Sequence, residues 1–153
     1  MQRRSFLRGL GLVAVASTVS TPTMLLAAPK GPNELNIDLA VKAITGAKAV
    51  VKSEKVHMKA PEIAENGAVV PVTVTVDSPM TDDDYIKAIH IFATKNSNVR
   101  CADVMLTPMN GIAMFATRVK LGKSQEIMAL VETSKGEFLS TSQSVKVTIG
   151  GCG

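Results

Sequence analysis

The stretch VPVTVTVDSP, residues 70–79, sets Val70, Val72, Val74 and Val76 at every second position against Pro71, Thr73, Thr75 and Asp77. Successive side chains of a strand point to opposite faces, so the pattern makes one apolar and one polar face. Ser78 and Pro79 end it. Toward the N-terminus the same period recurs. Val56, Met58 and Ala60 alternate with Lys55, His57 and Lys59 as far as Pro61, and PEIAENG, residues 61–67, reads as a connecting loop. Toward the C-terminus five more strands are predicted: Tyr85–Ala93, Cys101–Thr107, Ile112–Leu121, Gln125–Glu132 and Phe138–Ile149. Turn residues at 94–98, 108–111, 122–124 and 134–136 separate them. About seven short strands, with turn signals every eight to twelve residues, predict an all-β, immunoglobulin-like sandwich.

Ahead of the strands, Asn33 is the expected cap of a short helix from Glu34 to about Ile44, with Leu35, Ile37, Leu39, Val41 and Ile44 as its apolar positions and Gly46 as its stop. The 153 residues suffice for one domain with its own core. Residues 1–28 are expected to stand apart from it. They hold Arg3, Arg4 and Arg8, then an apolar run, then Ala27 and Ala28. That is the plan of a cleaved export signal, too short in its apolar part for a membrane span. The pair Arg3 and Arg4, followed by Ser5, Phe6 and Leu7, resembles a twin-arginine signal, which implies export to the periplasm. The expected organisation is therefore a signal at 1–28, a sandwich at 29–149 and a mobile tail at 150–153.

Export changes the charge reading. Removing the three arginines of the signal from the 17 basic residues leaves 14 against 13 acids, a net charge of +1. With no basic cluster read in the sequence and only 3% aromatics, nothing points to nucleic-acid binding. An oxidising compartment favours disulfides, yet Cys101 and Cys152 are far apart in sequence and a bridge to Cys152 would fasten only the tail.

Candidate chemistry within the sandwich is sparse. His57 and His90 sit on separate strands with no ligand-spaced Asp or Cys, so no metal site is expected and both read as surface or hydrogen-bonded histidines. TDDD at 81–84 lacks the spaced oxygens and closing Glu of a calcium loop and reads as a solvated turn. The eight methionines, Met105, Met109 and Met114 among them, read first as core filler, with a partner surface as the alternative. Cys101 shares its predicted face with Val99, Asp103 and Met105. It is either a small core residue or a partly exposed thiol. No catalytic triad, phosphate loop or carboxylate pair stands out, and no cofactor is expected.

Cys152 is different. It lies between glycines in VTIGGCG, residues 147–153, where packing gives no reason for a cysteine. The last strand holds the chain as far as Ile149 or Gly150, and the few residues beyond span at most roughly 10 to 14 Å. Gly150, Gly151 and Gly153 remove side-chain bulk around the sulfur and give access and mobility. A thiol reacts as thiolate. With no neighbouring cation in sequence, and the Gly153 carboxylate beside it, Cys152 is expected to be a modest nucleophile until it enters a positively charged site on a partner.

Taken with the signal and the sandwich pattern, several stretches resemble the SoxY family. They are IAENGAVVPVTV (63–74), SPM (78–80), IHIFATKN (89–96), LTPMNGIA (106–113) and SQSVKVTIGGCG (142–153). VTIGGCG is the most specific of them. The resemblance implies a non-catalytic carrier of sulfur intermediates in thiosulfate oxidation, with substrate held covalently on Cys152. It further implies a heterodimer with SoxZ and transient work with SoxAX, which attaches thiosulfate, with SoxB, which hydrolyses off sulfate, and with SoxCD where that enzyme exists. Family members commonly end GGCGG, and one glycine fewer is expected to alter the acidity and fit of this thiol. The alternatives are a periplasmic interaction protein using Cys152 for an intermolecular disulfide and a thiol-transfer redox protein, though neither a CxxC motif nor a nearby base is seen. A sulfur donor activated at Gly151 would need trimming first.

Overall fold

The computed structural model describes residues 35–150. The expectations for Arg3, Arg4 and the export signal, for Asn33, and for Gly151, Cys152 and Gly153 lie outside the described residues.

The chain begins with α1 (Ile37–Thr45). Its cap is Asn36, not the expected Asn33: the Asn36 side chain accepts from the Leu39 N–H at 2.9 Å. Starting at Ile37 also resets the apolar face. Ala40 becomes buried, Ile37, Val41 and Ile44 pack beside it, and Leu39 turns outward at 50% exposure. The expected set of 35, 37 and 39 had a strand's spacing, which a 3.6-residue turn cannot keep on one side. Gly46 stops the helix as expected, in the left-handed conformation with φ 61°.

Nine strands follow among the described residues: β1 (Val50–Lys52), β2 (Val56–Lys59), β3 (Ile63–Asn66), β4 (Val70–Val76), β5 (Ile86–Ala93), β6 (Arg100–Met105), β7 (Ala113–Val119), β8 (Gln125–Thr133) and β9 (Phe138–Ile149). One sheet runs β1-β9-β8-β5-β6, with β3 also on β9; the other is β2-β4-β7. The immunoglobulin-like sandwich is as the alternation indicated, and β9 has the bounds read from the sequence. β1 and β3 are the additions. Residues 63–66, read as loop, pair parallel to the end of β9, Ile63 with Lys146 through Asn66 with Ile149. A parallel partner has no hairpin turn to announce it.

The four valines of β4 are at most 4% exposed and meet Ile89, Ile91, Ile127, Ala129 and Val131 of the larger sheet in one core. Each such side chain contributes about 1.5–3 kcal/mol by leaving water. The outer face of the larger sheet carries a second core, where Phe92, Leu130, Phe138 and Val99 meet α1. That cover explains why β5 is buried on both faces along almost its whole length. No described helix is long and apolar enough to cross a membrane.

Candidate functional site

The end of β9, three residues short of Cys152 in sequence, is held by two elements, β3 with the loop that follows it and the β7–β8 turn. β3 lies alongside it, and the Gly67 N–H donates to the Ile149 carbonyl at 2.8 Å. From the other edge, the Val147 N–H donates to Ser124 Oγ at 2.9 Å. Gly150 then presses on the β7–β8 turn: a Cβ at this position would lie 2.3 Å from the Gly122 carbonyl oxygen, inside any real contact distance. Glycine at 150 thus serves a close backbone approach. The chain is thus held against the sandwich as far as Gly150.

Beside that point is a cavity of about 540 Å³. Lys95, Arg118, Lys120 and Lys123 line it together with Gly122 and Cys101, and no carboxylate does so among the described residues. The reading of the sequence as lacking a basic cluster is corrected here. These cations come from two loops and the end of β7, and only folding gathers them. The alternation RVKLGK at 118–123 was the available local signal.

Two amides clamp the loops. Asn96 donates from Nδ2 to the Lys120 carbonyl at 2.7 Å, and its Oδ1 accepts from the Gly122 N–H at 3.2 Å and Gln125 Nε2 at 2.8 Å. Gln125, 5% exposed, also accepts from the Lys95 N–H and donates to the Lys123 carbonyl. The cations are therefore presented by backbone that is tied in place, and with no described carboxylate in its lining the cavity is locally positive.

Cys101 is not where the strand period put it. The pairing of β5 with β6 shifts at Ile91/Phe92, so that Ile91 faces Ala102 and Phe92 faces Arg100, with Cys101 left over. This bulge re-aims the side chain. Cys101 leaves the face of Asp103 and packs half-buried against the inner core with Ala102 and Val104. Burial pushes its thiol up from 9.0 to about 11, opposed by a backbone hydrogen bond at Ala93. At neutral pH it stays protonated and is a poor nucleophile.

The remaining candidates resolve into structural roles. His57 is exposed, with Nε2 2.8 Å from Asp77. His90 is buried, with Nδ1 2.5 Å from Asp103, a carboxylate that also accepts from Arg100 Nε; its Nε2 has no hydrogen-bond partner in the structure. Asp84 of the TDDD turn meets Lys135 Nζ at 2.7 Å. Met105, Met109 and Met114 are exposed at 67%, 96% and 53%, so the core-filler expectation fails for all three. Among the described residues no group of three or more His, Cys, Asp or Glu is placed to hold a metal ion.

The described residues define a two-sheet β-sandwich whose last strand is anchored at its C-terminal end. Comparison with known proteins specifies the family. The sulfur oxidation protein SoxY family matches residues 41–152, and the chain belongs to that family. It is similar to the solved sulfur carrier protein SoxY from Chlorobium limicola f thiosulfatophilum, at 32% identity and TM-score 0.63 over 74% of this chain and 97% of that one. Superoxide reductases share the fold. One from Ignicoccus hospitalis gives TM-score 0.55 at 19% identity over 61% of this chain and 80% of that one. A putative one from Thermotoga maritima gives 0.51 at 22% identity over 68% and 89%. No curated protein matches the chain.

Proposed function

We propose that this protein is a covalent sulfur carrier in the oxidation of thiosulfate, with Cys152 as the point of attachment. The observation that carries this reading is the family match, which runs through the strand β9 to Cys152 itself. The braced exit of β9 supports it: a carrier needs a rigid base and a sulfur unhindered on both sides. Arg3 and Arg4 supply a twin-arginine address, so the working compartment is the periplasm.

The chemistry is a cycle on one sulfur. Thiosulfate and the Cys152 thiol lose two electrons and a proton to an oxidising haem partner of the SoxAX kind, and a sulfur–sulfur bond forms to give Cys152–S–S–SO3⁻. Water then attacks the sulfonate sulfur in a SoxB-like hydrolase, releasing sulfate and a proton and leaving the persulfide. Where a SoxCD-like oxidase is present, it oxidises the remaining sulfane sulfur. A SoxZ-like β-sandwich is the proposed stable partner. This chain contributes attachment and presentation, and its partners contribute catalysis. The protonated Cys101 thiol leaves the cargo alone, because displacing it requires a thiolate.

Intact-mass measurement after incubation with thiosulfate and the oxidising partner tests the reading. One thiosulfate-derived adduct is expected on the parent and on Cys101→Ser, and none on Cys152→Ser. Uptake by Cys152→Ser, or by no variant, overturns it. A covalent dimer lost in Cys152→Ser with no adduct on the parent replaces it with the disulfide reading.

A further inference from the structure

We propose that Asn66 is a deamidation site gated by the end of β9, and that its isoaspartate product keeps that strand end detached.

The inference starts from glycine following asparagine. With no Cβ on the next residue, the backbone nitrogen meets least hindrance in closing a succinimide ring on the asparagine amide. The chain has two such steps, Asn66–Gly67 and Asn110–Gly111, each with an exposed asparagine. Their side chains are held differently. Asn110 Oδ1 turns back and accepts from the Thr107 N–H at 2.8 Å. Asn66 Oδ1 reaches forward and accepts from the Ala68 N–H at 2.8 Å. That forward turn closes a hydrogen-bonded ring containing both the Asn66 amide carbon and the Gly67 nitrogen. It also places a donor on the oxygen where negative charge develops as the carbon is attacked, as in an oxyanion hole.

The attacking nitrogen is what the fold withholds. Gly67 is buried, its N–H donates to the Ile149 carbonyl at 2.8 Å, and its own carbonyl accepts from the Leu121 N–H at 2.7 Å. A nitrogen so held is not free to turn onto the Asn66 side chain, and breaking its bond while it stays buried costs an unsatisfied donor. Attack therefore waits for the end of β9 to lift, an opening that takes less free energy than global unfolding. Gly111 differs here too. It is exposed, and its N–H donates to the Pro108 carbonyl within its own turn, so β9 does not govern it.

Once the strand end lifts, the Gly67 nitrogen gives up its proton and bonds to the Asn66 amide carbon, and the side-chain nitrogen leaves as ammonia. Water then opens the succinimide. Opening at the side-chain carbonyl gives aspartate; opening at the backbone carbonyl gives isoaspartate, whose chain runs through the side-chain carbons. No oxidant or cofactor is needed. Isoaspartate puts one extra backbone carbon where Asn66 pairs with Ile149. The short β3 ladder cannot keep register across that insertion, so the Gly67 N–H no longer meets the Ile149 carbonyl. Loss of ammonia makes the change one-way. It loosens the strand end that precedes Cys152 in sequence, whatever that thiol carries.

Peptide mapping by mass spectrometry of full-length protein aged in mildly alkaline buffer, with hydrogen exchange at Gly67 measured in parallel, tests this. In the urea-unfolded chain Asn66 and Asn110 should deamidate at similar rates. Folding should slow Asn66 by at least about tenfold. Gly150→Ala should speed Asn66 by the same factor as it speeds Gly67 exchange, with Asn110 unchanged, and in subdenaturing urea the Asn66 and Gly67 rates should again rise together. Folded Asn66 reacting as fast as unfolded, or Gly67 exchange quickening under either condition without Asn66 following, overturns the gate. The isoaspartate product, recognised by its resistance to Asp-N protease, should exchange Gly67 about tenfold faster than the parent, whereas Asn66→Asp, with its normal backbone, should exchange like the parent. Parent-like protection in the isoaspartate product, or equal loss in Asn66→Asp, overturns the detachment. Neither result touches the carrier role, which the adduct on Cys152 decides separately.

Discussion

The two ends of the sandwich differ in what they expose. At one end, β9 stops beside the cavity lined by Lys95, Arg118, Lys120 and Lys123, next to loops clamped by two amides. At the other lie Asp77, the acidic turn at 82–84 and the exposed Met105, Met109 and Ile112. There the cations are neutralised one by one: Lys135 pairs with Asp84 and Lys87 with Glu132, at 2.7 and 2.8 Å. The contrast teaches that net charge says little about this protein. A chain close to neutral without its first residues separates its charges by fold, and the cavity lined by cations falls beside the end of β9.

The largest effect expected from breaking this contrast comes from Leu121→Ala. Leu121 is fully buried at the root of the β7–β8 turn, and its N–H donates to the Gly67 carbonyl at 2.7 Å. Truncation should cost about 2–5 kcal/mol in urea denaturation. A loss near zero would mean that the basic end is not anchored in the core.

Next in size is the pH response of Cys101, which lines the same end. Its folded thiol titrates near 11 and an unfolded one near 9.0. Below pH 9 both states are protonated and stability is unaffected. As pH rises from 9 to 11 the unfolded chain sheds its proton first, so stability falls through that window. Cys101→Ala should flatten the fall by about 1–2 kcal/mol, measured by denaturation at pH 8 and pH 11. A parallel decline in both proteins would remove burial as the cause.

A smaller and local effect is expected from Gly150→Ala. The added methyl meets the Gly122 carbonyl, so the end of β9 must lift from the turn. Hydrogen exchange at the Gly67 amide, which donates to Ile149, should quicken about tenfold with the β4 and β5 amides unchanged. Unchanged Gly67 protection would show that the strand end does not depend on this contact. Least of all is Met109→Ser at the opposite end. At 96% exposure it should shift stability by no more than about 0.5 kcal/mol, and a larger loss would mean that this end is not merely surface.

Legibility in the sequence followed the range of the interactions involved. β4 and β9 were read to within a residue because Val70–Val76 and the run ending at Ile149 display period two within one strand. The face of Cys101 was misassigned, though its reading as a small residue packed against the core was not, because a single-residue bulge opposite Ile91 and Phe92 re-aims it, and the cause lies in pairing with β5. β3 was read as a loop because Glu65, Asn66 and Gly67 are turn residues, and its strand character comes from an edge of β9 some eighty residues away.

By itself, then, the sequence determined the two-sheet architecture, the end of β9 and the glycine flanks of Cys152. Each is a matter of spacing within about a dozen residues. Tertiary structure alone decided the seat of Gly150 on Gly122, the burial that keeps Cys101 protonated and the gathering of four scattered cations into one cavity. Those depend on which distant loops the closed sheets bring together, a property that no local period encodes.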